Sequence, residues 1–295
     1  MPEIEGTFNV GGVALYTKTW VPVDPATANL IFFHGYSDHC NCYPDLFASL
    51  SSRGVAIYSL DQRGWGRSVA KPQDRGLTGP TTQVIADMVA FIESVFAQSD
   101  TLPTFVMGNS MGGGQILTLA CTPQYKELTG KIRGWIAEAP LVAFPSGSEP
   151  MKLEVFVGRL AAKIRPNFQL KKPLDTNTLT RIPEMAEKVE KDELCHNTGT
   201  LQGLAGMLDR AANLDSGSLK LNDNVTALAI FHGSGDKITS HVASRKFLEA
   251  QKLQDRVFKE YEGAYHQLHA DLCREEFNKD VGDWILERLE SKPHL

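Results

Sequence analysis

Short apolar runs alternate along this chain with stripes at helical spacing, and that alternation limits the fold more than any other feature. Residues 30–33, 55–60, 104–107, 135–139 and 227–231 are strand-length, mostly apolar runs, most of them closed by Gly, Pro or Asp, and 257–261 reads as a last strand. Between and after them, residues 43–52, 83–98, 111–121 and 274–289 read as helices; Val84, Met88, Ile92 and Val95 share one face of the second. Strands alternating with helices are the signature of an α/β fold built on a mostly parallel sheet flanked by helices. At 295 residues, 42% of them hydrophobic, the chain can bury such a sheet as one domain over 1–295 without disulfide or metal staples.

One segment breaks the rhythm. Between Pro140 and Ala227 no clear strand is evident, only helical patterns and Pro-containing loops, as expected for a cap inserted at about 142–220. Leu153, Phe156, Val157, Leu160 and Ile164 share one helical face there, with Lys152, Arg159 and Lys163 beside it. Two readings stand: the stripe packs on the domain beneath it, or part of it touches a lipid surface. The charge excess of only three residues favours the first.

The chemistry centres on Gly108-Asn109-Ser110-Met111-Gly112, a G-x-S-x-G between a strand and a helix. The glycines permit the sharp turn that leaves the Ser110 hydroxyl exposed at a helix N-terminus. A serine hydroxyl needs an adjacent base. His266, in the loop after the last strand, is the candidate, with His269 three residues on as its rival. Asp236, after the penultimate strand, would orient the imidazole, and the order Ser–Asp–His is the one this arrangement uses. Asp61 precedes the serine, and its loop, residues 61–68, reads better as a tight structural turn. Two backbone N–H donors should face the oxyanion: Met111, after the nucleophile, and Tyr36, after His34-Gly35.

Composition narrows the rest. The formal net charge is -5 and no dense Lys/Arg block exists, so nucleic acid is not an expected partner. Cys40, Cys42, Cys121, Cys195 and Cys273 are odd in number and scattered, which favours reduced thiols in an intracellular, cytoplasmic chain. The C-x-C at Cys40 and Cys42 offers too few ligands for structural zinc, and neither metal nor cofactor is expected. The acidic N-terminus does not read as a signal peptide, and no apolar run spans a bilayer. Pro293-His294-Leu295 only faintly resembles a peroxisomal tail.

Taken together, His34-Gly35, the 61–68 loop, the Ser110 motif, His232-Gly233-Ser234-Gly235-Asp236 and the string from Tyr261 to His269 resemble the monoacylglycerol lipase family of α/β-hydrolases, in its fungal flavour. The resemblance runs through nearly the whole chain. It implies hydrolysis of monoacylglycerols by Ser110, Asp236 and His266, behind an amphipathic cap that loads lipid from membranes or droplets. It also implies Leu153, Phe156 and Leu160 as cap residues facing substrate and makes Cys195 a candidate pocket-lining thiol, although an inert buried cysteine is preferred. A general carboxylesterase, lysophospholipase or acyltransferase would share the triad, and a non-catalytic ligand-binding protein of this fold could retain it. Two departures stand out. Asn109 occupies a position where the family usually has His, which would alter channel polarity. Tyr36 is larger than the family's usual small residue, which would reshape the acyl entrance.

Overall fold

The computed structural model describes residues 1–99, 101–148 and 152–290, with the side chains of 152–156 and 290 set aside. In chain order the strands are β1 (Glu3–Val10), β2 (Val13–Trp20), β3 (Ala28–Phe33), β4 (Val55–Leu60), β5 (Thr104–Asn109), β6 (Gly134–Glu138), β7 (Gln169–Lys171), β8 (Thr198–Thr200), β9 (Ala227–Gly233) and β10 (Asp255–Tyr261). The helices are α1 (Pro44–Ser51), α2 (Thr81–Gln98), α3 (Met111–Ala120), α4 (Lys126–Thr129), α5 (Lys152–Ile164), α6 (Pro183–Lys191), α7 (Leu201–Asp215), α8 (His241–Glu249) and α9 (Arg274–Glu290).

One sheet runs in the order β1-β2-β4-β3-β5-β6-β9-β10. The pairs from β4 to β10 are parallel, and β1 and β2 join antiparallel at one edge. The α/β-hydrolase architecture expected from the sequence is present, with an additional hairpin at its N-terminal edge. That hairpin turns at Gly11 (φ 54°) and Gly12 (φ 76°), a two-residue connection in the left-handed region that glycine enters freely.

Strand alternation explains why the central runs are apolar throughout. Leu30 and Phe32 face a layer containing Leu46, Phe47 and Phe277, from α1 and α9. Ile31 and Phe33 face the opposite layer, with Ile92, Ile116 and Phe247 from α2, α3 and α8. A parallel sheet covered on both faces needs apolar side chains at every position, so period-two patterning disappears.

Between β6 and β9 lies the helical cap. The expectation that it holds no strand needs correction, because β7 and β8 pair antiparallel, Leu170 opposite Gly199. Three residues are too few for period-two patterning to show. Helix α5 packs on α7, and the Arg159 guanidinium pairs with Asp209 across them. Among the described residues no helix is long and apolar enough to cross a membrane.

Candidate active site

The site assembles where parallel strands end, the crevice that open α/β sheets offer to ligands. Ser110 stands between β5 and α3 with φ 52° and ψ -114°, a strained conformation for a residue with a side chain. Its backbone is pinned from both sides: its N–H donates to Glu138 O at 2.9 Å, and its carbonyl accepts from Leu141 and Gly114. The glycines around it are a steric requirement. A Cβ on Gly112 would lie 2.2 Å from Phe33 O, and one on Gly108 would lie 2.5 Å from Gly112 C.

After β10, His266 turns its Nδ1 to Asp236 Oδ2 at 2.8 Å. Asp236 is held by more than histidine. Its Oδ1 accepts from the N–H groups of Ile238 (2.7 Å) and Thr239 (3.0 Å). Its Oδ2 also meets the Thr239 hydroxyl at 2.7 Å and His232 Nε2 at 3.0 Å. Burial pushes the Asp236 carboxyl up, but the neighbouring His266 and His232 more than reverse this and hold it well below the usual carboxylate range. Burial likewise disfavours a charged His266, but Asp236, reinforced by Glu138 and Asp38, raises it above 6.5. His232 is lowered, chiefly by burial, and stays neutral beside Asp236.

Two cavities meet at the serine. One, of about 320 Å³, is almost wholly apolar, lined by Met111, Leu141, Phe144, Leu204, Leu208 and Ile238 among others. The other, of about 30 Å³, is lined by polar groups of Asp38, Asn109, Asn197, His266 and Gln267, together with Cys195. Tyr36, Ser110 and Leu174 border both. An outer groove under Val157, Ala161, Ile164 and Phe168 shares Gly158, Leu170, Lys172 and Leu201 with the apolar cavity, so the two lie against the same residues.

The sequence matches the family model Hydrolase_4, described as "Serine aminopeptidase, S33", over residues 24–272. A Schizosaccharomyces pombe protein named "Putative monoglyceride lipase" is 33% identical over 285 residues, 95% of this chain and 72% of its own. The Homo sapiens monoglyceride lipase is 26% identical over 286 residues, 95% of this chain and 89% of its own. The chain belongs to the monoglyceride lipase family of α/β-hydrolases. Among solved structures, a soluble variant of the Saccharomyces cerevisiae monoglyceride lipase superimposes with a TM-score of 0.86 at 22% identity, covering 97% of this chain and 96% of that one. At that identity the superposition speaks for the fold alone.

Within this family framework the remaining expected residues take definite places. Met111 opens α3, so its N–H is one of the first four that no helical carbonyl accepts. Tyr36 follows a loop fixed by His34, whose Nδ1 meets Gly35 O at 2.8 Å and whose Nε2 accepts from Gln62 N at 2.8 Å. The Tyr36 ring packs on Trp65, and its hydroxyl reaches Lys172 O at 3.3 Å, joining core to cap. Cys195 lines the small cavity. Leu160 is 54% exposed and belongs to neither cavity lining. The side chains of Leu153 and Phe156 lie outside the described residues. Asp61 is a turn former, its carboxylate accepting from Cys40 N and Arg67 N.

Sequence reasoning missed three things. Thr239 and the Ile238 amide hold Asp236, and only a structure reveals that a residue three places on folds back. A second acid–histidine pair lies beside the first: Glu138 Oε1 meets His269 Nδ1 at 2.7 Å and accepts from His269 N at 3.0 Å. Asn109 presents a buried Nδ2 with no hydrogen-bond partner among the described residues, next to a Tyr43 hydroxyl 3.3 Å from its Oδ1.

Proposed function

We propose that Ser110, His266 and Asp236 hydrolyse monoacylglycerols to a fatty acid and glycerol. The observation that carries this reading is the division of space at Ser110: a large, mostly apolar cavity on one side and, on the other, a small one into which Asp38, Asn109, Asn197 and Gln267 bring polar groups. A monoacylglycerol has the same division, one long acyl chain joined through a single ester to a small triol. The matching family model is described by an aminopeptidase, but a cavity this apolar and this large fits an acyl chain better than a peptide.

In this mechanism His266 Nε2 takes the Ser110 proton as Oγ attacks the ester carbonyl. The N–H groups of Tyr36 and Met111 hold the oxyanion. The tetrahedral adduct collapses, the ester C–O bond breaks, and His266 protonates the departing glycerol oxygen. Water then gives a proton to His266 and attacks the acyl-serine; the acyl C–Oγ bond breaks, His266 returns the proton to Ser110 Oγ, and the fatty acid leaves. Asp236 stabilises the imidazolium in both halves. Asn109 Nδ2, buried and lacking a protein partner, supplies a donor to a glycerol hydroxyl in the small cavity. The cap meets membranes or lipid droplets through Val157, Leu160, Ile164 and Phe168, each at least half exposed, and lipid reaches Ser110 along the groove beneath them.

The test is a substrate panel for the wild type and Ser110→Ala: a long-chain monoacylglycerol, a short p-nitrophenyl ester and a lysophospholipid. Fast, Ser110-dependent release of fatty acid from the monoacylglycerol is expected. Hydrolysis of the short ester alone would move the assignment to a general esterase. No Ser110-dependent turnover at all would point to a binding protein.

A further inference from the structure

Two segments far apart in sequence bring four metal-binding side chains together beside the small cavity. His39 and Cys42 come from the loop between β3 and α1, in the core; Asp192 and Cys195 come from the loop after α6, in the cap. One ligand atom from each lies within 4.8 Å of the other three. His39 Nε2 and Asp192 Oδ2 are 2.9 Å apart, and the Cys42 and Cys195 sulfurs lie within 4.8 Å of each other. His39 and Cys195 are buried, and Cys42 and Asp192 are partly so.

We propose that His39, Cys42, Asp192 and Cys195 form a Zn²⁺ site that pins the cap to the core beside Ser110. The donor set is two sulfurs, one imidazole nitrogen and one carboxylate oxygen. Thiols exclude Mg²⁺ and Ca²⁺, which take oxygen, and the carboxylate disfavours Cu(I), which takes sulfur. Zinc accepts all three donor types in a tetrahedron. With bonds of about 2.3 Å to sulfur and about 2.0–2.1 Å to nitrogen and oxygen, tetrahedral ligands stand roughly 3.3–3.8 Å apart. The His39–Asp192 pair at 2.9 Å therefore has to widen slightly and separations of up to 4.8 Å have to close by about 1 Å, and both segments are loops that can supply these shifts.

Binding balances as follows. Both S–H bonds break, two Zn–S bonds form, and two protons pass to solvent. The proton on His39 Nε2 gives way to zinc and the imidazole is protonated at Nδ1, at the loss of the Asn41 N–H bond that Nδ1 accepts at 3.2 Å. The consequence is mechanical. Cys195 lines the cavity at Ser110, and the loop carrying His39 and Cys42 also carries Tyr36. A filled site fixes the cap over that cavity and lowers turnover. This last step rests on the proposed hydrolysis, but metal binding can be read without it.

The test is a titration of the full chain, kept reduced by a phosphine, with Co²⁺ as a spectroscopic stand-in for zinc. One equivalent should produce thiolate-to-metal charge transfer and tetrahedral ligand-field bands, and Zn²⁺ should displace them. Cys42→Ser and Cys195→Ser should each lose the charge-transfer band. A footprint of the wild type guards against misfolded variants: Zn²⁺ should suppress alkylation of Cys42 and Cys195 by iodoacetamide relative to Cys273. No thiolate band in the wild type at saturating Co²⁺, a band that survives both substitutions, or unprotected Cys42 and Cys195 would overturn the site.

Discussion

At the scale of single residues, the site poses a question that its histidines answer by surroundings. His266 and His269 each turn Nδ1 to a buried carboxylate, Asp236 at 2.8 Å and Glu138 at 2.7 Å. Only His266 lines the cavity that contains Ser110; His269 packs on the Tyr43 ring at 4.3 Å. His266→Ala should therefore abolish reaction of Ser110 with a fluorophosphonate probe. His269→Ala should leave that reaction in place and instead cost about 1–3 kcal/mol in urea unfolding, because Glu138 Oε1 loses its side-chain partner. Equal loss of labelling in both would contradict the assignment. The base must be neutral to accept a proton, and Asp236 raises His266 above 6.5, so kcat/KM should climb with pH through a midpoint above 6.5. Asp236→Asn should lower that midpoint and cut the rate by on the order of 10⁴. Stability follows the opposite sign for the acid. Asp236 titrates below its usual 3.8 in the folded state, so its contribution is intact above that value and is lost as pH falls. Neither Glu138 nor Thr239 stands out in the sequence, because a buried acid at a strand end and a threonine after Asp236 carry no motif. The sequence separates His266 from His269 only by position, since both follow the last strand within eight residues.

At the scale of elements, the turn from β5 into α3 was the most legible part of the chain. Its glycines announce themselves because nothing larger fits: Gly112→Ala places a carbon 2.2 Å from Phe33 O, and backbone cannot swing aside as a side chain can. A destabilisation of about 3 kcal/mol is expected, read by chemical unfolding; a cost under about 1 kcal/mol would mean that the turn relaxes. Elements defined by long-range pairing were less legible. The β7–β8 pair has three residues a side and is created by the cap's own folding. The β1–β2 hairpin did leave a signal, Gly11-Gly12 between alternating residues, but β1 is mostly exposed and so lacks the apolar run that marks the central strands. On the cap, Leu160→Glu should weaken hydrolysis of monoacylglycerol presented in vesicles while hydrolysis of a short soluble ester persists. Unchanged vesicle activity would remove the lipid-surface role of α5.

At the scale of the whole molecule, the division of labour is between a rigid sheet and a cap that closes it. The sheet was readable because burial on both faces forces continuous apolar strands, and helices between them force parallel order. The cap's position was readable as an interruption of that rhythm. Its joins to the core were not: Tyr36 to Lys172 and His39 to Asp192 link residues more than 130 apart, Cys42 and Cys195 come within 4.8 Å over a similar separation, and local patterning holds no trace of such pairs. Cys42 in particular looked isolated beside Cys40, whose thiol burial pushes well above its ordinary range. The central claim is that acyl transfer passes through Ser110 with the chain in the apolar cavity. The most direct measurement is tandem mass spectrometry of the protein after inactivation by a long-chain alkyl phosphonate, with monoacylglycerol hydrolysis followed in parallel. The account predicts a single adduct on Ser110, formed in step with loss of hydrolysis; an adduct elsewhere, or hydrolysis that survives full labelling of Ser110, would contradict it.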